Sequence, residues 1–232
     1  SCFRNPGLFM TRPAFHPDFE KLPQTLPVFP LTGVLLLPGG QLPLNIFEPR
    51  YLNMVQDALG EPQRLIGMIQ PRDDNDGGDK PALRSIGCAG RLSAFQETDD
   101  GRYLISLTGV IRFRISEEID TLRGYRRVVP DYTPFRDDLR CYDGSADFNK
   151  GRLIAALKPY FDLKGIEADM DSLKSCADET LVTTLAMSCP FSPTEQQALL
   201  EYDTLAERAD ALSAMMEMET LETGGPRSTT RQ

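Results

Sequence analysis

The sequence has one histidine, five cysteines and no apolar run long enough to cross a membrane, which takes about 18 residues. His16 has no second histidine to join, so a histidine-dependent triad or a multi-histidine metal site cannot be built. The cysteines are odd in number, widely spaced and never form C-x-x-C. They therefore predict reduced, small apolar side chains in a cytoplasmic protein.

Basic residues are outnumbered by acidic ones. There are 25 Lys+Arg against 34 Asp+Glu, a net charge of −9, and most of the excess falls late in the chain. Residues 1–144 carry a balance of −2, whereas residues 145–232 carry −7. Such a surface repels phosphate backbones and anionic lipid, so a nucleic-acid role would need a local basic patch.

One basic cluster exists, and its members are Arg112, Arg114, Arg123, Arg126 and Arg127. Acidic residues at 117, 118 and 120 interrupt it. Pairing of these charges across neighbouring strands is therefore the favoured interpretation, and RNA binding is a weaker alternative.

A calcium loop is the only metal motif that the sequence suggests, in RDDNDGGDK at residues 72–80. Arg72 and Leu83 stand where an acidic ligand and a bidentate Glu belong, so the match fails. We expect a solvated loop there, and neither a metal nor a cofactor in this chain.

Residues 24–144 read as short strands joined by turns. Pro38-Gly39 predicts a turn, Asp100-Gly101 predicts a type I′ hairpin, and residues 110–116 alternate between apolar and polar types. Strands without regularly alternating helices favour an antiparallel barrel. One helix is expected between them, with Pro49 in its first turn.

From residue 145 the apolar period becomes helical, so residues 145–222 predict a helical bundle. Pro159 should kink or divide one helix, and Ser192 with Glu195 predicts a capping box. Residues 1–23 are expected to form a flexible arm, and residues 223–232 a polar tail. The fold class is therefore α+β.

The stretch LPLNIFEPRY, residues 42–51, supports two interpretations. Glu48 can cap the helix through its carboxylate and pair with Arg50, which makes the segment a structural corner together with Pro49. Alternatively, Phe47, Arg50 and Tyr51 form one wall of a peptide groove, because aromatic and Arg side chains are common anchors at interfaces. The corner is the favoured interpretation.

Methionines near the end of the chain give a second candidate surface. Met215, Met216 and Met218 fall at helical spacing, which is typical of a core. Methionine is also an adaptable contact on promiscuous binding surfaces, so Met215 and Met216 are candidate peptide contacts.

The segment from residue 26 to residue 51 carries a resemblance to a known family. Leu26-Pro27-Val28-Phe29-Pro30-Leu31, Pro38-Gly39 and LPLNIFEPRY resemble the N-terminal, substrate-binding domain of Lon proteases, and the likeness runs over about residues 24–220. It implies a PUA-like β-barrel followed by a C-terminal α-helical bundle. It also implies a part in recognising unfolded or tagged polypeptides.

The sequence departs from full-length Lon enzymes in its catalytic motifs. It contains no G-x-x-x-x-G-K-[ST] to hold a nucleotide phosphate, and no counterpart of the protease's serine and lysine. We therefore expect a non-catalytic, cytoplasmic module that binds exposed apolar segments, with no membrane role. An adaptor for one specific folded protein partner is the main alternative.

Overall fold

The computed structural model describes residues 15–72, 81–120, 123–140 and 147–224. The strands are β1 (Leu26–Pro30), β2 (Gln41–Ile46), β3 (Leu65–Ile69), β4 (Ile86–Glu97), β5 (Tyr103–Ile119) and β6 (Arg126–Asp131). The α-helices are α1 (Pro49–Gly60), α2 (Lys150–Lys164), α3 (Met170–Ser175), α4 (Asp178–Ser188), α5 (Pro193–Glu201) and α6 (Leu205–Gly224). Short 3-10 helices occupy Phe19–Lys21 and Thr133–Leu139.

The six strands form one curved sheet in the order β2-β5-β4-β3-β1-β6. β5 is long enough, at 17 residues, to pair with β2 and β4 along its first part and with β6 along its second. All these pairings are antiparallel except β1–β3, which is parallel. The sheet is therefore mixed rather than purely antiparallel, because the long connection from β1 to β3, which contains β2 and α1, allows these two strands to run parallel.

The turn before β2 lies against the middle of β5. The Gly39 N–H donates to the Gly109 carbonyl at 2.9 Å, and the Gly109 N–H donates to the Gly40 carbonyl at 2.8 Å. A Cβ at Gly109 would lie 2.0 Å from the Leu37 carbonyl oxygen. Gly39 has φ +77°, as a Pro-Gly turn requires. This contact fixes where β2 begins.

The helices lie in a layer against the sheet. Ser192 and Glu195 form the predicted capping box at the start of α5. Ala209, Leu212 and Met216 are fully buried, as the spacing in α6 predicts. Pro159 lies inside α2 without dividing it.

One apolar core joins the two layers. Phe29 of β1, Leu107 of β5, Leu157 of α2 and Leu212 of α6 belong to the same buried cluster, and a smaller cluster around Phe113 fills the rest of the sheet. The α+β class and the order of sheet then helices are confirmed. The exact subdomain boundaries stay predictions.

The predicted arm and tail fall largely outside the described residues, which omit 1–14 and 225–232. Within the arm, Phe19 and Leu22 pack against the smaller core cluster. The Lys21 carbonyl accepts a hydrogen bond from Gln63 at 2.9 Å. The described end of the arm is therefore attached to the sheet.

Candidate functional site

The predicted corner at the start of α1 is present, but its cap differs from the prediction. Glu48 is the N-cap residue, and its backbone carbonyl accepts from the N–H groups of Tyr51 and Leu52. Its carboxylate makes no capping hydrogen bond. It pairs instead with the Arg50 guanidinium at 2.8–2.9 Å, so the predicted side-chain cap is wrong and the predicted pairing is confirmed.

The two aromatic residues at the start of α1, Phe47 just before it and Tyr51 in its first turn, differ in exposure. Tyr51 is 7% exposed, and its ring lies 4.2 Å from that of Phe29. Arg50 covers it, with the guanidinium carbon 4.7 Å from the ring centroid. Phe47 is 61% exposed. Tyr51 therefore packs in the core, and of the two side chains only Phe47 is exposed to solvent.

The second predicted surface is also divided. Met216 is fully buried and Met215 partly buried, whereas Met218 and Leu221 are 60% and 75% exposed. α6 packs on α2, α4 and α5, while α1 packs on β1 and β3. The two predicted halves of a peptide groove thus lie on helices with different packing partners.

A group of exposed apolar side chains occurs at the shared end of β2, β4 and β5, with Leu104 on the opposite face of β5 from Tyr103. We call it the sheet-end surface, and its members are Phe47, Phe95, Tyr103 and Leu104. Phe95 is 40% exposed and Leu104 is 42% exposed. Tyr103 pairs with Ile46 on one side and Glu97 on the other, so the three strand ends lie side by side.

Local contacts hold this surface in place. The Phe95 and Tyr103 rings meet edge to face at 4.9 Å, and the Tyr103 hydroxyl accepts a hydrogen bond from Gln56 of α1 at 2.8 Å. The Arg102 guanidinium carbon lies 5.8 Å from the Phe47 ring centroid. Exposed rings fixed in this way lose little conformational entropy when a ligand covers them.

The hairpin beyond this surface is where the sequence predicted it, but its turn type is different. Gly101 has φ +80°, and it is the only residue of this turn with a positive φ, whereas type I′ needs two. The Thr98 N–H donates to the Arg102 carbonyl at 3.0 Å, and Asp100 binds the Thr98 hydroxyl and Arg102. The charged tip is therefore internally paired.

Sequence reasoning missed Phe95 and Leu104. Tyr103, Leu104 and Ile105 are three consecutive apolar residues, so they necessarily place apolar groups on both faces of a strand. With one face directed to the core, the other had to present Leu104 outward. That run is the signal that could have located the surface.

The basic cluster is neutralised largely by ion pairs. Arg112 is 4% exposed, with two hydrogen bonds of 2.8–2.9 Å from its guanidinium to Asp138. Arg126 pairs with Glu118 at 2.6–2.7 Å, as predicted, and Arg123 pairs with Asp57. Arg112 is therefore not available to RNA. The 3-10 helix Thr133–Leu139 and the end of α5 cover the face of β5 that carries Arg112.

Arg112 and Arg208 together fasten the α5–α6 corner to the sheet. Arg112 donates to the carbonyls of Leu200 and Tyr202 at 3.1 and 2.8 Å, and Arg208 donates to those of Leu199 and Tyr202 at 2.7 and 3.0 Å. Burial, with Arg112 nearby, lowers the pKa of Arg208 to about 10. We call this group, with Asp138, the guanidinium joint. It has a structural role.

Nucleophilic and metal chemistry has little support in the described ranges. Cys189 is buried, and burial raises the pKa of its thiol to about 12, far from the range of reactive thiolates. No group of three or more His, Cys, Asp or Glu side chains in the described ranges could hold a metal ion. The Asp-rich part of the predicted loop, residues 73–80, lies outside them.

No helix among the described residues is both long and apolar enough to span a membrane. The architecture is a curved mixed sheet with helices packed against it and exposed apolar side chains at one end of the sheet. A family model, that of the ATP-dependent protease La (LON) substrate-binding domain, matches residues 25–218. The chain belongs to this family.

Individual relatives agree with that assignment. Lon protease of Parabacteroides distasonis is 27% identical over 215 residues, which are 88% of this chain and 25% of that protein. Lon protease of Flavobacterium johnsoniae is 25% identical over 193 residues, which are 82% of this chain and 23% of that protein. The chain thus spans about a quarter of the length of the curated relatives.

Solved structures show the same fold. A Lon N-terminal domain protein from Xanthomonas campestris matches with a TM-score of 0.55 and 25% identity, over 82% of this chain and 97% of that one. The N-terminal domain of the Mycobacterium avium complex Lon protease matches with a TM-score of 0.59, over 83% and 98% of the two chains. At 15% identity, the second likeness concerns the fold alone.

Proposed function

We propose that this chain is a non-catalytic, cytoplasmic recognition module that binds exposed apolar segments of unfolded or tagged polypeptides. The substrate-binding family supports a part in substrate recognition. The observation that carries the finer proposal is the sheet-end surface, where Phe47, Phe95 and Leu104 remain exposed. Burial of such groups by a ligand is favourable at roughly 25 cal/mol per Å² of apolar area.

The chemistry of the surface suits an unfolded client. Apolar contacts are not directional, so they tolerate many sequences. The internally paired charges of Glu48–Arg50 and Asp100–Arg102 border the apolar side chains without demanding one partner charge. Affinity should be modest, because a disordered client loses conformational entropy on binding.

A dedicated adaptor for one folded partner is the second candidate function. Its support is the exposed pair Met218 and Leu221 on α6, which is separate from the sheet end and has the i, i+3 spacing of a helix-presented contact. A folded partner would need shape complementarity over a larger area than these two side chains provide.

The decisive test is binding of the purified chain, without ATP, to a reduced and alkylated disulfide protein and to the native form of the same protein. We expect binding of the unfolded form only. Phe47→Ala should weaken it about tenfold, because an exposed aromatic anchor is lost.

Met218→Ala is the matched control, since it truncates an equally exposed apolar side chain on the other surface. It should leave binding unchanged. Equal failure of the wild-type chain with both forms of the test protein would contradict the proposed function and favour the adaptor.

A further inference from the structure

β2 is the one strand of the sheet with an unpaired edge among the described residues. β6, at the other end of the strand order, pairs with both β1 and β5. β2 pairs with β5 over all six of its residues and has no strand on its other side in the described ranges. Gln41, Pro43 and Asn45 are exposed. An open edge of this kind presents backbone groups to any extended chain.

The register identifies which backbone groups face outward. The Gly109 N–H donates to the Gly40 carbonyl, and the same register continues as Leu42↔Leu107 and Leu44↔Ile105. In an antiparallel ladder, alternate residues turn their N–H and C=O toward the same neighbour. The even-numbered residues of β2 therefore bond to β5. The carbonyls of residues 41, 43 and 45 and the N–H groups of residues 41 and 45 point away from the sheet.

Pro43 agrees with this assignment. Proline lacks an N–H, and within sheets it is placed where that group would face solvent. At residue 43 it removes one outward donor and leaves the outward carbonyl. Pro43 therefore reduces non-specific pairing at this edge, which still has two outward N–H donors and three outward carbonyl acceptors.

Side chains beside the edge favour an apolar occupant. Leu42 and Leu44 are half-buried against the main core and share the face that carries Ile105 and Leu107. A strand added next to β2 would place every second side chain beside these leucines, and it would run towards Phe47 of the sheet-end surface. Backbone pairing would provide affinity, and the alternating side chains would provide selectivity.

The geometry points to β2 as a docking edge for an extended segment of the client polypeptide, which adds to the sheet as a seventh strand with apolar side chains at alternate positions. This rests on the proposed function and specifies its substrate as a chain in extended conformation. A second copy of this chain is a poorer occupant, because it would bring a second proline to the same edge.

Backbone variants of β2 test the inference. Asn45→Pro removes an outward N–H at a position that already has edge geometry, whereas Asn45→Thr changes the side chain and keeps the donor. Pro43→Val restores the missing donor. We expect Asn45→Pro to weaken binding of a labelled peptide of alternating valine and threonine by about three- to tenfold. Pro43→Val should strengthen it by a similar factor, and Asn45→Thr should leave it unchanged.

Peptides N-methylated in alternate frames repeat the test without altering the protein. In an extended peptide, one frame of N–H groups faces the neighbouring strand and the other faces away. Methylation of one frame should abolish binding, and methylation of the other should be tolerated. Blocking of the threonine frame indicates antiparallel addition, and blocking of the valine frame indicates parallel addition.

Two results would overturn the docking edge alone. In the first, both methylated peptides bind equally well, while binding of the unfolded protein still depends on Phe47. Side-chain contacts would then account for binding without any pairing to the β2 backbone. The other is a concentration-dependent dimer, seen by sedimentation, that Asn45→Pro dissociates, because a second copy would then occupy β2. Absence of all binding to the wild-type chain would overturn the proposed function as well.

Discussion

The guanidinium joint and the sheet-end surface both include residues of β5, Arg112 and Leu104 respectively. The joint buries a charged side chain, whereas the surface exposes an apolar one. At the joint, Arg112 is charged and almost fully buried, and its guanidinium donates hydrogen bonds to Asp138 and to the carbonyls of Leu200 and Tyr202. At the sheet end, Leu104 is apolar and exposed. A buried charge must be paired to be tolerated, whereas an exposed apolar group has no such requirement. The joint therefore fixes the fold, and the sheet end is free to serve binding.

Arg112→Ala should lower the free energy of unfolding more than any other proposed variant, because it removes the central side chain of the guanidinium joint. It removes the guanidinium partner of the Asp138 carboxylate and the donor to the Leu200 carbonyl, whereas the Tyr202 carbonyl keeps its hydrogen bond from Arg208. Removal of one member of a buried ion pair costs about 3–5 kcal/mol of unfolding free energy. Urea denaturation measures it.

Arg114→Ala is the control for this prediction. Arg114 is exposed two residues further along β5, and its truncation should change the free energy of unfolding by less than about 0.5 kcal/mol. Equal losses for the two variants would show that the joint contributes no more than a surface charge.

The two aromatic residues of the LPLNIFEPRY stretch sharpen the same contrast. Tyr51→Ala should lower the free energy of unfolding by about 3–5 kcal/mol, because Tyr51 packs on Phe29 in the core. Phe47→Ala should change it by less than about 0.5 kcal/mol. Thermal and urea melts of both variants measure this. A Phe47→Ala protein as unstable as Tyr51→Ala would make the sheet end structural.

A substitution at Glu179 of α4, near Arg208 of the guanidinium joint, should have the smallest effect on stability. Burial raises the pKa of this carboxyl above its ordinary value of 4.5, although Arg208 nearby acts in the opposite direction. The folded state thus favours the protonated form, and the contribution of this group to stability falls as pH rises through the folded-state pKa.

Glu179→Gln should therefore unfold at a slightly higher urea concentration than the wild type at pH 7. The difference should disappear below pH 4.5, where the wild-type carboxyl is protonated in both states. An unchanged midpoint at pH 7, or a lower one, would mean that attraction to Arg208 outweighs burial.

Local signals in the sequence predicted local structure well. The capping box of Ser192 and Glu195 and the buried face of α6 involve residues a few positions apart, so spacing alone defines them. The family motif predicted the order of sheet and helices. The position of the hairpin also followed from Asp100-Gly101, although the turn type did not.

The failed predictions involve contacts that are distant in sequence. Arg112 reads as a solvent-facing residue of an alternating strand, and only the approach of Asp138 and Leu200, 26 and 88 residues away, buries it. Tyr51 is a groove wall only in the less favoured interpretation of LPLNIFEPRY, and helical spacing does not say which ring meets Phe29. The free edge of β2 required the complete strand order, which no local pattern contains.

The pairing of β1 with β6 has a consequence during synthesis. Leu26 lies opposite Val128, so about 100 residues must follow β1 out of the ribosome before it acquires this neighbour. At about 5–20 residues per second that delay is roughly 5–20 s. Through that interval the LPVFP strand lacks this neighbour, so the nascent chain itself resembles the clients proposed for the finished protein.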